Sequence, residues 1–221
     1  MRAAVDPSDV IVSFAGSTLA RWCALAPWTL TAQSEAIVAE LLRDLDPADY
    51  AVTDGIAVHR SAVVEGGAVL KGPLILGAGC FVASGAYLRG GCWLAEGCTV
   101  GPGGELKSSF VFAGTKLAHF NFVGDSVLGA NVNLEAGSIV CNYRNERADK
   151  EIRVRLASGL HRTGVDKFGA LVGDAARIGA NAVLAPGALL PAGAVVRRGT
   201  LCDQEDPADE ARDQPLAAAA R

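Results

Sequence analysis

The sequence predicts an all-β solenoid, a parallel β-helix of six-residue repeats preceded by a short helical segment, and three observations carry that prediction. One aliphatic residue recurs at every sixth position through most of the chain. The position two places before it is nearly always small, and Gly closes nearly every repeat. The composition agrees: 50% of the 221 residues are hydrophobic, yet only 6% are aromatic and 26 are Gly, which suits many small and similar packing layers.

In chain order, residues 1–55 come first and lie outside the repeat. Within them, TAQSEAIVAELLRDLD places Ile37, Leu41 and Leu42 at helical spacing, with Thr31 or Ser34 available as a cap. This predicts one helix, and we expect it to cover the open end of the solenoid. The repeat then occupies residues 56–201. From Ala62 it reads AVVEGG, AVLKGP, LILGAG, CFVASG, AYLRGG, CWLAEG, CTVGPG, with Val64, Leu70, Leu76, Val82, Leu88, Leu94 and Val100 in one column. That column reaches back to Val58 and forward to Leu106. It returns as Phe122, Leu128, Leu134 and Val140, and again as Val172, Ile178, Leu184, Leu190 and Val196.

A period of six with one aliphatic and one small inward residue fits a triangular coil of three short strands, roughly 18 residues long. Each coil pairs its backbone with neighbours about 4.8 Å away, so a single coil is unstable and a stack shares one core. Cys80, Cys92 and Cys98 fall in the small inward column and are expected to fill it as Ala does elsewhere. Residues 142–169 interrupt the coils with seven Lys/Arg and four Asp/Glu. This excursion loop is either a solvated charged loop or an arm that faces an anion or a partner. The last segment, 202–221, carries six acids and one Arg between 203 and 213, and we expect it to be a disordered acidic tail.

These features exclude several classes. With the tail set aside the body is neutral, which argues against a nucleic-acid partner. No apolar stretch approaches 18 residues, and MRAAVDPSDVIVSF lacks the marks of an export signal, so a cytoplasmic location is expected, with six reduced thiols. The three histidines, His59, His119 and His161, are too far apart in sequence for a three-histidine zinc site, and no metal is expected. No GxSxG elbow, P-loop or Rossmann glycine pattern stands in a strand-then-helix context. His119 stands where the register is read as slipping from Ala118 to Phe122, a break that could carry a residue chosen for something other than packing, but taken alone it favours a surface histidine over a functional one.

The strings AYLRGG, ELKSS, AHFNFVGDS, GANVNLEAGSIVCNY and KFGALVGDAARIGANAVLAPG, in order over residues 86–187, change that balance. They resemble the hexapeptide-repeat acyltransferases, in particular the acetyltransferase half of the bifunctional enzymes that make UDP-N-acetylglucosamine and the stand-alone UDP-N-acetylglucosamine acyltransferase family. The resemblance implies a left-handed winding, a homotrimer, and a site in the cleft between subunits where acetyl-CoA or another acyl-CoA donates to an amino sugar carrying a phosphate or nucleotide.

By the same resemblance His119 is the general base, a role that neutral imidazole suits near pH 7. Arg89 and Lys107 hold the phosphate of the sugar; Asn133, Asn142 and Tyr143 position the sugar and the base, Asn142 within the catalytic group. Gly179 and Ala180 meet the pantetheine arm. Phe122 stands where the family has Tyr, the excursion loop is longer than in the family, and some 50 residues replace the preceding nucleotidyltransferase domain. The alternative is a noncatalytic trimeric solenoid, a scaffold or sugar-nucleotide-binding partner of a separate nucleotidyltransferase.

Overall fold

A computed structural model describes residues 5–205. Its main body is a parallel β-helix of seven coils, each contributing one strand to each of three sheets. Face 1 runs from Ile56–His59 to Ala188–Leu190, face 2 from Val63–Val64 to Val195–Val196, and face 3 from Val69–Leu70 to Leu201–Cys202. Every coil-to-coil pairing is parallel and in register, for example Leu106 with Leu88 above and Val123 below. The aliphatic column of the sequence lines the interior: Leu76, Val82, Leu88, Leu94, Val100 and Leu106 are at most 1% exposed. Cys80, Cys92 and Cys98 share that core, where burial pushes the Cys92 thiol up to about 11.

The register departs from expectation at one place. Val123, not Phe122, lies in the interior column, and Phe122 points outward on face 3. The six-residue step is kept between Leu117 and Val123, so the sequence does not slip from Ala118 to Phe122. Instead the steps from Leu106 to Val111 and from Val123 to Leu128 are one residue short. At these two corners Ser108 (φ 48°) and Asp125 (φ 46°) take left-handed backbone, which lets the chain turn from face 3 to face 1 within a shorter corner.

The N-terminal segment also differs. One helix was expected over residues 31–46; the structure has two, α1 at Pro27–Ala32 and α2 at Ser34–Leu41, separated at Gln33 and flanked by four short 3-10 turns. Pro27 starts α1, where its missing N–H costs nothing. Neither Thr31 nor Ser34 caps a helix: the Thr31 hydroxyl donates to the Trp28 carbonyl (3.2 Å) and that of Ser34 to the Gly90 carbonyl (3.0 Å).

Rather than closing the open end of the solenoid, the helical part of the segment clads the outer side of face 1. Phe14, Leu30, Ile37, Val38 and Leu41 form a second core with Ile75, Trp93, Phe110, Val127 and Leu171 of that face. Asp174 fixes its start, accepting from the N–H groups of Val12 (2.9 Å) and Ala130 (2.7 Å). The edge of the first coil is covered by strand Tyr50–Thr53, which pairs antiparallel with Ile56–His59. Asp54 and Gly55 between them both have positive φ, as a tight two-residue hairpin requires.

The excursion loop is ordered as an antiparallel hairpin, Arg153–Leu156 with Gly159–Arg162. Ile152, Val154 and Phe168 bury its base in the same second core, with Trp28 edge-on to Phe168 at 6.0 Å. Four of its cations, Arg144, Arg147, Arg153 and Arg155, face the chain's own C-terminal segment. Arg144 takes both carboxylate oxygens of Asp203 (2.5 and 2.6 Å), Arg147 bonds Glu205, and Arg155 donates to the Gln204 carbonyl (2.7 Å). Cys202, placed in the tail by the sequence, is instead paired with Leu184 in the last strand of face 3, and 203–205 are held by the hairpin. The rest of the acidic tail lies outside the described residues.

Candidate active site

Two corners of the triangular coil carry the residues singled out above. Arg89, Lys107 and Asn142 lie at the corner from face 3 to face 1, on the second, third and fifth coils, with Lys107 directly between Arg89 and Gly124 in the ladder. Gly124 is what lets this group assemble, since a Cβ there would stand 2.7 Å from the Asn142 side-chain nitrogen. With that space open, Asn142 Nδ2 donates to Asp125, and Lys107 Nζ reaches both Asp125 oxygens (2.9 and 2.8 Å) and the Ser108 hydroxyl (3.1 Å). The Lys107 and Asp125 side chains are 17% and 7% exposed, so this is an ion pair largely withdrawn from water.

Asp125 was not among the residues expected from the sequence. Its signal in the sequence is the Gly that precedes it. Arg89 is likewise paired, its Nε and Nη2 both donating to Glu105 (2.9 and 2.7 Å). Tyr143 follows Asn142, partly exposed, with the Lys150 ammonium 5.3 Å from its ring centre.

Above Lys107 opens a cleft of about 840 Å³. Its floor is Lys107, Ser108 and Asp125; one wall is the junction of α1 and α2, and the other is Glu151 with residues 164–167 from the base of the hairpin. Both walls therefore come from segments outside the repeat.

His119 stands at the other end of face 3, at the corner from face 2. The corner is tightly specified. A Cβ on Gly101 would lie 1.7 Å from the Ala118 carbonyl oxygen, and the His119 carbonyl accepts from the Gly137 N–H (2.9 Å). Phe120 turns the chain with φ 51° and donates its N–H to the Pro102 carbonyl (3.0 Å). Among the described residues the exposed His119 ring has no side-chain hydrogen-bond partner, so its nitrogens face solvent.

Farther along the same edge lie Glu135, Gly179, Ala180 and Arg198. Gly179 donates its N–H to the Val196 carbonyl (2.9 Å), and a Cβ on it would meet the Arg198 nitrogen at 2.5 Å. The Ala180 N–H donates to Glu135 Oε2 (2.9 Å), and the Arg198 guanidinium grips both Glu135 oxygens at 2.8 Å. That guanidinium holds the Glu135 carboxyl below the usual carboxylate range. Asn133 and Gly179 line a second cleft on face 2, about 520 Å³, with Glu135, Arg177, Arg197 and Arg198.

The structure thus brings Arg89, Lys107, Asn142 and Tyr143 to one corner, and His119, Gly179 and Ala180 to another, with Asn133 on the adjoining face 2. Within one chain these groups do not share a cleft: the breadth of face 3 separates them, on the order of 15 Å at about 3.3 Å per residue.

Seven coils in parallel register, a six-residue interior column and positive-φ corners decide what kind of protein this is. The chain is a hexapeptide-repeat β-helix. Over 106 residues this β-helix is 32% identical to a bifunctional sugar-1-phosphate nucleotidylyltransferase/acetyltransferase of Sulfurisphaera tokodaii, a match covering 48% of the chain and 26% of that protein. It is 33% identical over 106 residues to the bifunctional protein GlmU of Methanococcus maripaludis, covering 48% and 25%. It is 34% identical over 105 residues to GlmU of Maricaulis maris, covering 48% and 19%.

The hexapeptide β-helix therefore spans about a quarter or less of the length of these relatives. No family model matches it. A crystal structure of a hexapeptide transferase family protein from Anaplasma phagocytophilum superposes over 66% of this chain and 72% of its own, at 20% identity and a TM-score of 0.31. The parallel ladder register itself defines the fold. No helix among the described residues is long and apolar enough to cross a membrane.

Proposed function

We propose that the protein is a CoA-dependent acyltransferase, acting as a homotrimer in the cytoplasm, that moves an acyl group, acetyl by preference, onto an amino sugar carrying a phosphate or nucleotide. The observation that carries this reading is His119: an exposed imidazole without a side-chain partner among the described residues, fixed at a corner whose backbone tolerates only Gly at 101. Support also comes from the similarity to a bifunctional sugar-1-phosphate nucleotidylyltransferase/acetyltransferase.

In this scheme the acceptor amine attacks the thioester carbonyl as the imidazole takes its proton. The tetrahedral intermediate collapses with loss of the C–S bond, and the proton passes to the departing thiolate to give CoA thiol. No covalent enzyme intermediate is required. Lys107 and Arg89, held by Asp125 and Glu105, orient the acceptor's phosphate. Asn142 and Tyr143 flank it, Asn133 contacts the sugar, and Gly179 and Ala180 lie along the pantetheine arm. Arg177 and Arg197 beside them suit the phosphates of the donor.

The separation of His119 from Lys107 within one chain gives the trimer its role. A second copy against face 3 places its Lys107 corner opposite His119, so that each site takes the base from one chain and the acceptor cations from another. The left-handed winding belongs to the same reading.

One observation favours a second reading, a noncatalytic solenoid: Glu135 already occupies the Ala180 N–H, where the donor would lie. The test is release of CoA thiol from acetyl-CoA with a panel of aminohexose 1-phosphates and UDP-linked aminohexoses. The proposal expects thiol and N-acetylated sugar in equal amounts with at least one acceptor. No turnover with any of them would overturn it in favour of the scaffold.

A further inference from the structure

We propose that Glu135 is a built-in competitor for the acyl donor, a carboxylate latched across the donor corner that binding must displace, and that Arg198, once released, takes an anionic group of the donor. The inference rests on the acyl-donor reading above. Its basis is that a carboxylate of the chain itself is held by the two kinds of donor that an incoming anion would need, a backbone N–H and a forked guanidinium. Glu135 belongs to the fifth coil, Ala180 to the sixth and Arg198 to the seventh, so the bridge spans the sixth coil at the mouth of the face 2 cleft.

Three features distinguish this latch from a structural strut. The first is exposure: the Arg198 and Glu135 side chains are 75% and 36% exposed, a setting in which an ion pair contributes little to stability. The second is that the backbone beneath it is fixed independently. Asn121, 2% exposed, donates from Nδ2 to the Glu135 carbonyl (2.8 Å) and to the Ser138 hydroxyl (2.9 Å), so the Glu135 side chain can swing away without loosening its corner. The third is charge. Arg177 and Arg197 line the same cleft, and releasing Glu135 from Arg198 leaves three guanidinium groups toward a ligand anion.

Binding of CoA to the full chain, measured by calorimetry at low and at physiological ionic strength, tests the proposal with Glu135→Ala, Glu135→Gln and Arg198→Ala beside the parent. Glu135→Ala, which clears both donors, is expected to tighten CoA by about 3- to 10-fold, with Glu135→Gln between it and the parent. Arg198→Ala is expected to weaken binding and flatten its salt dependence, because a phosphate contact is lost. A merely structural pair would not produce opposite effects from its two halves. If CoA binds the parent and Glu135→Ala alike, the latch is wrong and the donor reading stands. If CoA binds none of the four proteins while all keep the parent's unfolding midpoint, the donor reading fails and the latch with it.

Discussion

Replacing His119 by alanine is expected to lower the rate of CoA thiol release by about 10²- to 10⁴-fold, the range that a positioned general base contributes. The fold should not register the change. His119 is exposed, its corner is held by backbone bonds to Pro102 and Gly137, and its ring bonds no side chain among the described residues. The thermal midpoint and the oligomeric state of His119→Ala should therefore match the parent's. Equal rates for the two proteins would remove His119 from the chemistry. A fall in rate accompanied by unfolding would mean that the residue supports the corner and is not the base.

The largest effect on stability is expected from Leu117→Ala. Leu117 is 1% exposed and stacks between Val100 and Leu134 in face 2, two residues before His119. A rigid ladder above and below cannot close over the void, so the cost should be about 2–5 kcal/mol. For a chain of this size that corresponds to a fall of roughly 5–20 °C in the thermal midpoint. Val63→Ala, an outward residue of the same face and 54% exposed, should change stability by less than about 0.5 kcal/mol. Similar costs for the two substitutions would contradict the assignment of inside and outside on this face.

The interior was legible in the sequence because a period of six leaves one column no choice but to face inward, and Val64 through Leu106 follow it without interruption. The period breaks down as a guide where two adjacent residues are both apolar. Phe122 and Val123 compete for one slot, and the pattern alone does not show that the short corners lie at Ser108 and Asp125. The cladding of face 1 was misread for a related reason. The repeat defines what points in, but outward Ile75, Trp93, Phe110, Val127 and Leu171 recur once per coil, which is too sparse to stand out from the inward column. Compared with Thr99, Lys116 and Asn133 on face 2, they identify the covered flank in retrospect.

The site divides in the same way. Residue types within contiguous strings, such as those around His119 and Asn142, carry the resemblance and were found. Partners created by stacking were not. Asp125 meets Lys107 one coil away, and Glu135 meets Arg198 across two coils and 63 residues of sequence. The basic excursion had two readings, and neither anticipated that its arginines would hold Asp203 and Glu205. A hairpin whose position depends on Asp203 and Glu205, some 40 residues further along the chain, has no local sequence signature.

If each site is shared, with His119 from one chain and Lys107 from another, acyl transfer requires both chains. Co-expression of His119→Ala with Lys107→Ala, followed by the CoA thiol assay on the mixed assembly, tests it most directly. Each variant alone should be nearly inactive. Random association of the two in a symmetric oligomer should restore about one quarter of the parental activity, carried by sites that draw both native residues from different chains. A mixed assembly as inactive as either variant alone would contradict the shared site.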